Sequence, residues 1–239
     1  MPVKRPQLVN GEIYHIVMRG VDGRIIFPQE EDYLHFLHDL YEFNDEDVVI
    51  SEFRHAIKNS TGTLPGELVL SRRENKKRKL LVEIFVFCLM PNHFHLLLRQ
   101  VKDNGISNFM RKLGGYATYI NKKYNRQGHL YQGRFKAVHI ESEDQLKNVF
   151  VYIHTNPLSL IEPNWKDGGI NNPQKALEFL KKYRWSSYLD YLGYKNYPSL
   201  TNRDFLTDVF KDKESCYNNV KDWILYKKDI NELGLVALE

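Results

Sequence analysis

Cysteine and long apolar runs are both scarce in this sequence. Cys88 and Cys216 are the only cysteines among 239 residues, and neither has a second cysteine at metal-ligand spacing. This excludes a disulfide scaffold and a cysteine zinc finger. The longest apolar run, residues 80–90, is interrupted by Glu83 and is too short to cross a bilayer core of about 30 Å. No apolar run follows the basic residues of the N-terminus, so we expect a cytoplasmic protein without a secretion signal or membrane contact.

The composition is that of a folded protein. Hydrophobic residues make up 42% and charged residues 27%, which excludes a disordered chain and a collagen-like one. A chain of 239 residues is near the upper size for a single core. We therefore expect one domain with appended segments.

Charge is unevenly distributed along the chain, although the net charge is only +4. Residues 29–52 carry nine acidic residues and no Lys or Arg, whereas residues 54–79 carry eight basic and two acidic residues. A second basic block, residues 109–139, has seven basic residues, no acidic residue and six interleaved Phe and Tyr residues. Cations and flat rings are what single-stranded nucleic acids bind. A solvated helix face above core aromatics has the same composition, so both interpretations stay open.

Hydrophobic periodicity predicts an α+β protein. β-Branched and aromatic residues predict extended segments at 12–19, 80–89, 93–101 and 130–140, the middle two joined by a turn. Helical spacing predicts helices at about 29–43, 108–124 and 142–156, and C-terminal helices near 174–182, 202–210 and 213–228. Turn residues and a basic run predict an exposed loop or hairpin at 54–79. No residue of the C-terminal helices indicates chemistry.

The segment His93-Phe94-His95 begins a predicted strand. Alternate strand residues point to the same face, so both imidazoles are expected on one face, where two nitrogens can bind one metal ion. Phe94 and Leu96 are expected in the core on the opposite face, which leaves the histidines on the face that the core does not need. In a chain with nine histidines such a pair also arises by chance, so a pair of hydrogen-bonded core histidines remains an alternative.

Tyr152 and Asn156 are four residues apart on the helix that is predicted to end before Pro157, and they share one face of it. A phenol is a poor nucleophile at neutral pH, but a metal ion and basic groups nearby favour the phenolate. Two imidazoles with the Asn156 amide oxygen as third ligand suit Mg²⁺ or Mn²⁺ that polarises a phosphate oxygen. The residues alone also allow a partly buried helix tyrosine and an Asn156 that caps the helix.

Several segments of the chain resemble one family in the same order. Residues 89–98, Leu-Met-Pro-Asn-His-Phe-His-Leu-Leu-Leu, resemble the HUH motif of single-tyrosine transposases. Residues 11–20 resemble the first strand of the same transposases. Similarity to the REP-associated tyrosine transposase branch extends to three further segments: residues 119–135, 152–157 and 185–188. The resemblance covers most of residues 11–192 and leaves the basic excursion at 54–79 and the tail beyond residue 192 without a match.

The resemblance implies the fold and chemistry of that family. The fold would be a ferredoxin-like antiparallel sheet with helices packed on it, plus a C-terminal helical extension. His93, His95 and Asn156 would be ligands of Mg²⁺ or Mn²⁺, and Tyr152 would be the nucleophile. Such an enzyme cleaves single-stranded DNA near hairpin repeats, forms a 5′-phosphotyrosine link and releases a 3′-hydroxyl that can later rejoin the strands. Tyr116 and Tyr119 are competing nucleophiles. They are disfavoured because the residues four positions after them, Ile120 and Lys123, are not candidates for a metal ligand, whereas Asn156 follows Tyr152.

Basic residues near the motifs are the predicted DNA contacts. We expect them to be Arg19, Arg134 and Lys136, together with Arg111, Lys112, Lys122, Lys123 and Arg126. The eight basic residues at 54–79 would add phosphate contacts if that excursion is a DNA-binding arm, although a solubilising loop is the simpler interpretation.

The resemblance also predicts the organisation of the chain. Residues 1–160 would form the transposase domain with the basic excursion, and residues 161–239 a C-terminal helical extension. The expected partner is single-stranded DNA with hairpin repeats, the expected location is the cytoplasm in association with the nucleoid, and a monomer is favoured over a homodimer. A non-catalytic module that binds structured DNA or RNA and a rolling-circle replication nickase are the alternative functions.

Overall fold

Four antiparallel strands form the centre of the molecule. The structure, a computed structural model, describes residues 6–47 and 78–232, so the predicted basic excursion at 54–79 lies outside the described residues except for its last two. The strands are β1 (Ile13–Arg19), β2 (Val82–Met90), β3 (His93–Gln100) and β4 (Lys136–Ile140), in the sheet order β2-β3-β1-β4. Each neighbouring pair is antiparallel, which confirms the predicted antiparallel sheet.

The β2–β3 hairpin is built as the sequence predicts. Pro91 and Asn92 form the turn, and Met90 pairs with His93 directly beyond it. Apolar side chains occupy both faces of β2 and most of β3, and both strands are almost entirely buried. A strand that is buried on both faces requires a layer of structure above and below the sheet.

Helices supply both layers. The first three are α1 (Glu30–Glu42), α2 (Gly105–Leu113) and α3 (Tyr116–Lys123), and the fourth is α4 (Glu143–Thr155). The C-terminal helices are α5 (Trp165–Gly168), α6 (Pro173–Leu180), α7 (Tyr188–Tyr191), α8 (Asp204–Phe210) and α9 (Lys213–Glu232), and 3₁₀ turns occupy Val21–Gly23 and Asn156–Leu160. The predicted α+β class and ferredoxin-like order, strand, helix, two strands, helices, strand, are confirmed. None of the described helices is long and apolar enough to traverse a bilayer.

Two of the predicted elements differ in extent from the observed ones. The helix predicted at 108–124 is two helices, α2 and α3, because Gly114 and Gly115 lie at the break between them. The extended segment predicted at 130–140 is a strand only from Lys136, because residues 130–135 form bends and one isolated bridge, from Tyr131 to Gly20.

One face of the sheet packs against α1, α2 and α3. Phe94 and Leu96 point to this face and are fully buried in a cluster with Phe36 and Phe109. The rings of Phe36 and Phe94 lie 4.7 Å apart, centroid to centroid. This is the core that the apolar positions of β3 and α1 predict.

The other face packs against α4 and the C-terminal helices. Leu97 of β3 shares a second buried cluster with Phe150 of α4, Trp165 of α5 and Leu206 of α8. The C-terminal segment also covers the outer edge of β2: the Leu89 amide donates to the Trp185 carbonyl at 2.9 Å, and two further backbone bonds join Ser187 to Phe87 and Asn202 to Ile84. Covering an edge strand satisfies its backbone groups and prevents pairing with another chain. The predicted domain boundary at residue 160 stays a prediction. The residues after it share a buried core with α4.

Candidate active site

The face of the sheet towards α4 carries a cluster of histidine and tyrosine rings. His93 and His95 of β3 both point to this face, and their ring centroids lie 4.9 Å apart. The Tyr152 ring from α4 meets the His95 ring edge to face at 5.7 Å. The structure therefore brings three of the four residues predicted from the sequence into one cluster, and Asn156 follows Tyr152 by one helical turn.

Local sequence signals place Tyr152 and Asn156. Ser142 caps the N-terminus of α4, where its side chain accepts a hydrogen bond from the Gln145 amide at 3.2 Å. The helix ends at Thr155 because Pro157 follows, and the Asn156 side chain donates to the Tyr152 carbonyl at 3.0 Å. Asn156 thus caps the end of the helix, as the capping alternative predicts, because its amide nitrogen donates a hydrogen bond to a carbonyl of the last turn. The amide oxygen is the atom that the metal hypothesis requires.

The expectation that His93 and His95 lie on a face of the sheet that no hydrophobic core covers is wrong. His95 is 1% exposed and His93 9%, because α4 and the C-terminal helices form a second core over that face. Strand alternation predicted which face the histidines occupy. It contains no information on whether a later part of the chain covers that face.

His15 of β1 belongs to the cluster and was missed by the sequence analysis. His15 Nε2 lies 2.9 Å from His95 Nδ1, within hydrogen-bond distance, and the two rings are stacked. Burial lowers the pKa of His15 to about 4, so the imidazole is neutral at pH 7. The alternation of β1 was a usable signal, because His15 lies on the opposite face from the buried Tyr14 and Ile16.

His95 is held in its neutral form. Burial is the main cause that lowers the pKa of His95 well below its ordinary value, and the positive charges of Lys166 and Arg19 act in the same direction. His95 Nε2 is buried and has no hydrogen-bond partner among the described residues. A buried polar atom without a partner is costly unless a ligand satisfies it.

The hydrogen bonds of both histidines fit the binding of a metal ion. His93 Nδ1 lies 2.7 Å from the Asn92 side-chain oxygen, which only accepts, so Nδ1 carries the proton. With His15 as the partner of His95 Nδ1, both rings can leave Nε2 unprotonated, as metal-ligating histidines require. The part of the chain that the structure describes has no cluster of three His, Cys, Asp or Glu side chains suited to a metal ion. An amide oxygen is not among these donor types, so the predicted set of two imidazoles and the Asn156 amide oxygen stays a prediction.

Lys166, in the C-terminal segment, also reaches the site. Its Nζ donates to the Tyr152 hydroxyl oxygen at 3.2 Å and lies 5.0 Å from the centroid of the Tyr152 ring. Lys166 lies before the predicted C-terminal helices, so the expectation that those helices carry no chemistry does not concern this residue. Sequence spacing gives no signal for this contact, which depends on how the chain turns back after Pro157.

The competing tyrosines lie on the opposite face of the sheet. Tyr116 is fully buried, and its hydroxyl donates to the Ile26 carbonyl at 3.0 Å. The Tyr119 hydroxyl lies 3.1 Å from a carboxyl oxygen of Asp32, and burial together with that carboxylate raises the pKa of Tyr119 to about 12. Both phenols are held in the protonated form, in the core that contains Phe94 rather than beside the histidines.

The predicted DNA contacts fall into two groups. Lys123 makes a 2.7 Å ion pair with the fully buried Asp32, and Lys112 donates to the backbone carbonyls of Asp45 and Asp47. These two contacts hold the fold together. Among the remaining predicted DNA contacts, Arg126 is half-buried. The others are exposed: Arg19, Arg111, Lys122, Arg134 and Lys136.

Two of the exposed cations share the face of the histidines. Arg19 pairs with His93 across β1 and β3, at the end of the sheet where β3 begins. Lys136 pairs with Val17, which itself pairs with His95. Directly opposed strand residues point to the same face, so both cations flank the cluster.

The part of the chain that contains the predicted site residues matches a known protein family. Residues 67–156 match the family described as transposase, IS200-like. No curated protein matches this chain. The match includes both histidines, Tyr152 and Asn156, and ends ten residues before Lys166.

Two solved structures with low sequence identity to this chain differ in how closely they superpose on it. A REP-associated tyrosine transposase bound to a REP hairpin superposes with a TM-score of 0.50 and 13% identity, covering 85% of this chain and 93% of that one. A bacterial tRNA(His) guanylyltransferase-like protein in complex with GTP has a TM-score of 0.34 and 10% identity, covering 66% and 70%. The family match and the shared fold agree with the resemblance that the motifs indicated: residues 67–156 match the IS200-like transposase family, and the chain is similar in fold to a REP-associated tyrosine transposase.

Proposed function

We propose that this protein is a metal-dependent single-stranded DNA endonuclease and strand transferase, with Tyr152 as the nucleophile. The observation that supports the proposal is the ring cluster in which Tyr152 contacts His95, inside the segment that matches the transposase family. A tyrosine beside imidazoles that can bind a metal ion suits a covalent phosphoryl transfer, because metal coordination activates a weak nucleophile.

The reaction exchanges one phosphodiester for another. The Tyr152 oxygen attacks the phosphorus of the scissile linkage, a phosphorus–oxygen bond to the tyrosine forms, and the bond to the 3′-oxygen breaks. The phenol loses its proton and the leaving 3′-oxygen gains one, so the products are a 5′-phosphotyrosine and a free 3′-hydroxyl. Attack of a 3′-hydroxyl on the phosphotyrosine reverses these steps and rejoins the strands. The number of ester bonds is conserved, and no nucleotide cofactor is required.

Mg²⁺ or Mn²⁺ would be held by Nε2 of His93, Nε2 of His95 and the amide oxygen of Asn156. A divalent ion there supplies Lewis-acid polarisation of the phosphate and stabilises its developing charge. His15 orients His95 through the 2.9 Å contact and so favours the ligating tautomer.

The substrate would be single-stranded DNA beside a hairpin repeat. Arg19 and Lys136 lie on the face of the histidines and can contact the phosphates that flank the scissile linkage. Arg111, Lys122, Arg126 and Arg134 extend the positive surface for the rest of the strand. Lys112 and Lys123 would not contact the DNA, because each binds a partner within the fold.

The burial of the cluster favours one competing function. Tyr152 is 5% exposed, which is compatible with a module that binds structured DNA or RNA and does not cut it. In that case the basic surface would bind the hairpin while the histidines and Tyr152 only pack together.

A labelled hairpin separates the two functions. The purified protein is incubated with hairpin oligonucleotides that carry a single-stranded flank and a label at the 5′ or the 3′ end, with Mn²⁺ or with EDTA. We expect a covalent protein–DNA adduct in denaturing gels, with Mn²⁺ only and with the 3′ label only, because the tyrosine stays on the 5′ end of the downstream fragment.

Two variants complete the experiment. Tyr152→Phe should abolish the adduct and leave hairpin affinity within about threefold, whereas Tyr194→Phe, at a tyrosine that is 61% exposed, should behave as the wild type. An adduct that persists in Tyr152→Phe would refute the assignment of Tyr152 as the nucleophile. Tight binding without any adduct, across hairpins of varied sequence, would favour the binding module.

A further inference from the structure

We propose that Lys166 is a catalytic residue of the same site, whose ammonium orients the Tyr152 hydroxyl and binds a non-bridging oxygen of the scissile phosphate. The proposal rests on the function proposed above. It extends the site beyond residue 156, where the family match ends, into the C-terminal segment.

The ammonium of Lys166 lies next to the atom that would attack the phosphate, the hydroxyl oxygen of Tyr152. Lys166 Nζ donates to the Tyr152 hydroxyl oxygen at 3.2 Å, and its 5.0 Å distance from the ring centroid places it beside the ring as well. A phenol oxygen that accepts a hydrogen bond from an ammonium has a restricted set of orientations. A nucleophile gains rate when its attacking orbital is held in line before the substrate binds.

The backbone of Lys166 is held by its neighbours. Trp165 is 1% exposed and packs in the core that α4 shares with the C-terminal helices. The Trp165 amide donates to the Glu162 carbonyl at 3.1 Å, and the Gly169 amide donates to the Trp165 carbonyl at 3.0 Å. Gly169 closes this turn with φ of +76°, a conformation that favours glycine. The short helix α5 is therefore anchored by Trp165 in the buried cluster that also contains residues of α4, the helix that carries Tyr152.

The chemistry of an ammonium fits both contacts. A lysine side chain has three N–H donors, so one group can contact the phenol oxygen and a phosphate oxygen at the same time. As the bond from the Tyr152 oxygen to phosphorus forms and the bond to the 3′-oxygen breaks, negative charge develops on the non-bridging oxygens. A fixed positive charge beside them stabilises the transition state more than the ground state. Lys166 keeps its proton throughout, and the proton of the phenol leaves to solvent.

The experiment compares substitutions at Lys166 with a matched control in the same segment. Lys166→Met removes the charge, Lys166→Arg keeps it, and Lys175→Gln removes an exposed charge from α6. Single-turnover rates of adduct formation and equilibrium affinities for the same hairpin are measured for each. We expect Lys166→Met to slow adduct formation about 10- to 100-fold with affinity changed less than about threefold, partial recovery in Lys166→Arg, and wild-type behaviour in Lys175→Gln.

A spectroscopic readout tests the contact without DNA. In protein labelled with ¹³C at the tyrosine ζ carbon, the Tyr152 signal is the one that Tyr152→Phe lacks. It should shift in Lys166→Met at constant pH and stay unchanged in Lys175→Gln. Thermal unfolding of each variant shows whether the fold is retained, and Lys166→Arg keeps the test valid if the methionine variant does not fold.

The outcomes separate this inference from the function on which it rests. A wild-type protein that forms no adduct refutes the proposed function and the inference with it. A wild-type adduct formed at the same rate by Lys166→Met, or an unmoved Tyr152 signal, refutes only the role of Lys166. Equal losses of affinity and rate would assign Lys166 to general DNA binding and also overturn the proposal.

Discussion

His15 Nε2 lies 2.9 Å from Nδ1 of His95, so an imidazole of β1 is the direct hydrogen-bond partner of an imidazole of β3. The second ring nitrogen of His95 is buried without a partner among the described residues. Partners of ligating histidines set the tautomer and ring orientation, and their loss typically costs 10- to 100-fold in metal affinity. His15 is therefore the residue through which the metal hypothesis can be tested away from the proposed ligands.

His15→Ala should weaken Mn²⁺ binding about 10-fold or more and slow adduct formation, because His95 loses the contact that fixes its tautomer. Isothermal titration of the protein with Mn²⁺ measures the affinity. His129→Ala, at an exposed histidine, is the control and should bind Mn²⁺ as the wild type does. Unchanged affinity in His15→Ala would show that His95 does not depend on this partner.

Arg19→Gln and Lys136→Gln should each reduce hairpin affinity and make it less dependent on salt. A cation that neutralises one phosphate contributes about one unit to the slope of log affinity against log salt concentration. Fluorescence anisotropy between 50 and 200 mM salt, about the range over which such slopes are resolved, measures the effect. Slopes equal to that of the wild type in both variants would place the DNA elsewhere on the surface.

Lys123→Gln should instead destabilise the fold, by about 1 to 3 kcal/mol, since it leaves the buried Asp32 carboxylate without its ammonium partner. The hydroxyls of Tyr119 and Tyr124 also contact Asp32, at 3.1 and 2.6 Å, and limit the loss. Urea unfolding measures the change. Arg111→Gln, at an exposed site, should leave the free energy of unfolding nearly unchanged. The opposite ranking of the two variants would contradict the assignment of Lys123 to the fold.

Stability should fall in mild acid because of His154. Burial lowers the pKa of His154 to about 3, whereas the unfolded chain binds the proton near the ordinary value of 6.5. Above pH 6.5 both states are neutral and His154 contributes no pH dependence. Between pH 6.5 and 3 only the unfolded state is protonated, so the free energy of unfolding decreases by about 1.4 kcal/mol per pH unit as the pH falls. Urea midpoints measured in EDTA from pH 7.5 to 4.5 test this.

The variant His154→Gln isolates that contribution from other buried histidines. His154 Nε2 lies 2.9 Å from the Ser187 hydroxyl, a contact that a glutamine amide can partly replace. The variant should be less stable at pH 7.5 and show a shallower loss in acid. Parallel pH profiles of the two proteins would show that His154 is not held neutral by the fold.

Local signals were sufficient for most of the fold. The β2–β3 hairpin follows from two apolar runs around Pro91 and Asn92, and the start of α4 follows from Ser142. The alternation of β3 correctly placed both histidines on one face, and the four-residue spacing put Tyr152 and Asn156 one turn apart. Gly114 and Gly115 have low helix propensity, and the helix predicted at 108–124 is divided there into α2 and α3.

The sequence by itself determined the periodicities, the caps and the motif residues, because these depend on neighbours within a few positions of one another. Tertiary structure alone decided that α4 and the tail bury the histidines, that His15 contacts His95, and that Lys166 meets Tyr152. His15 and His95 are 80 residues apart, and Lys166 reaches Tyr152 only after the chain turns back past Pro157. Such contacts depend on strand register and on the packing of distant segments, which the local pattern of side chains does not specify.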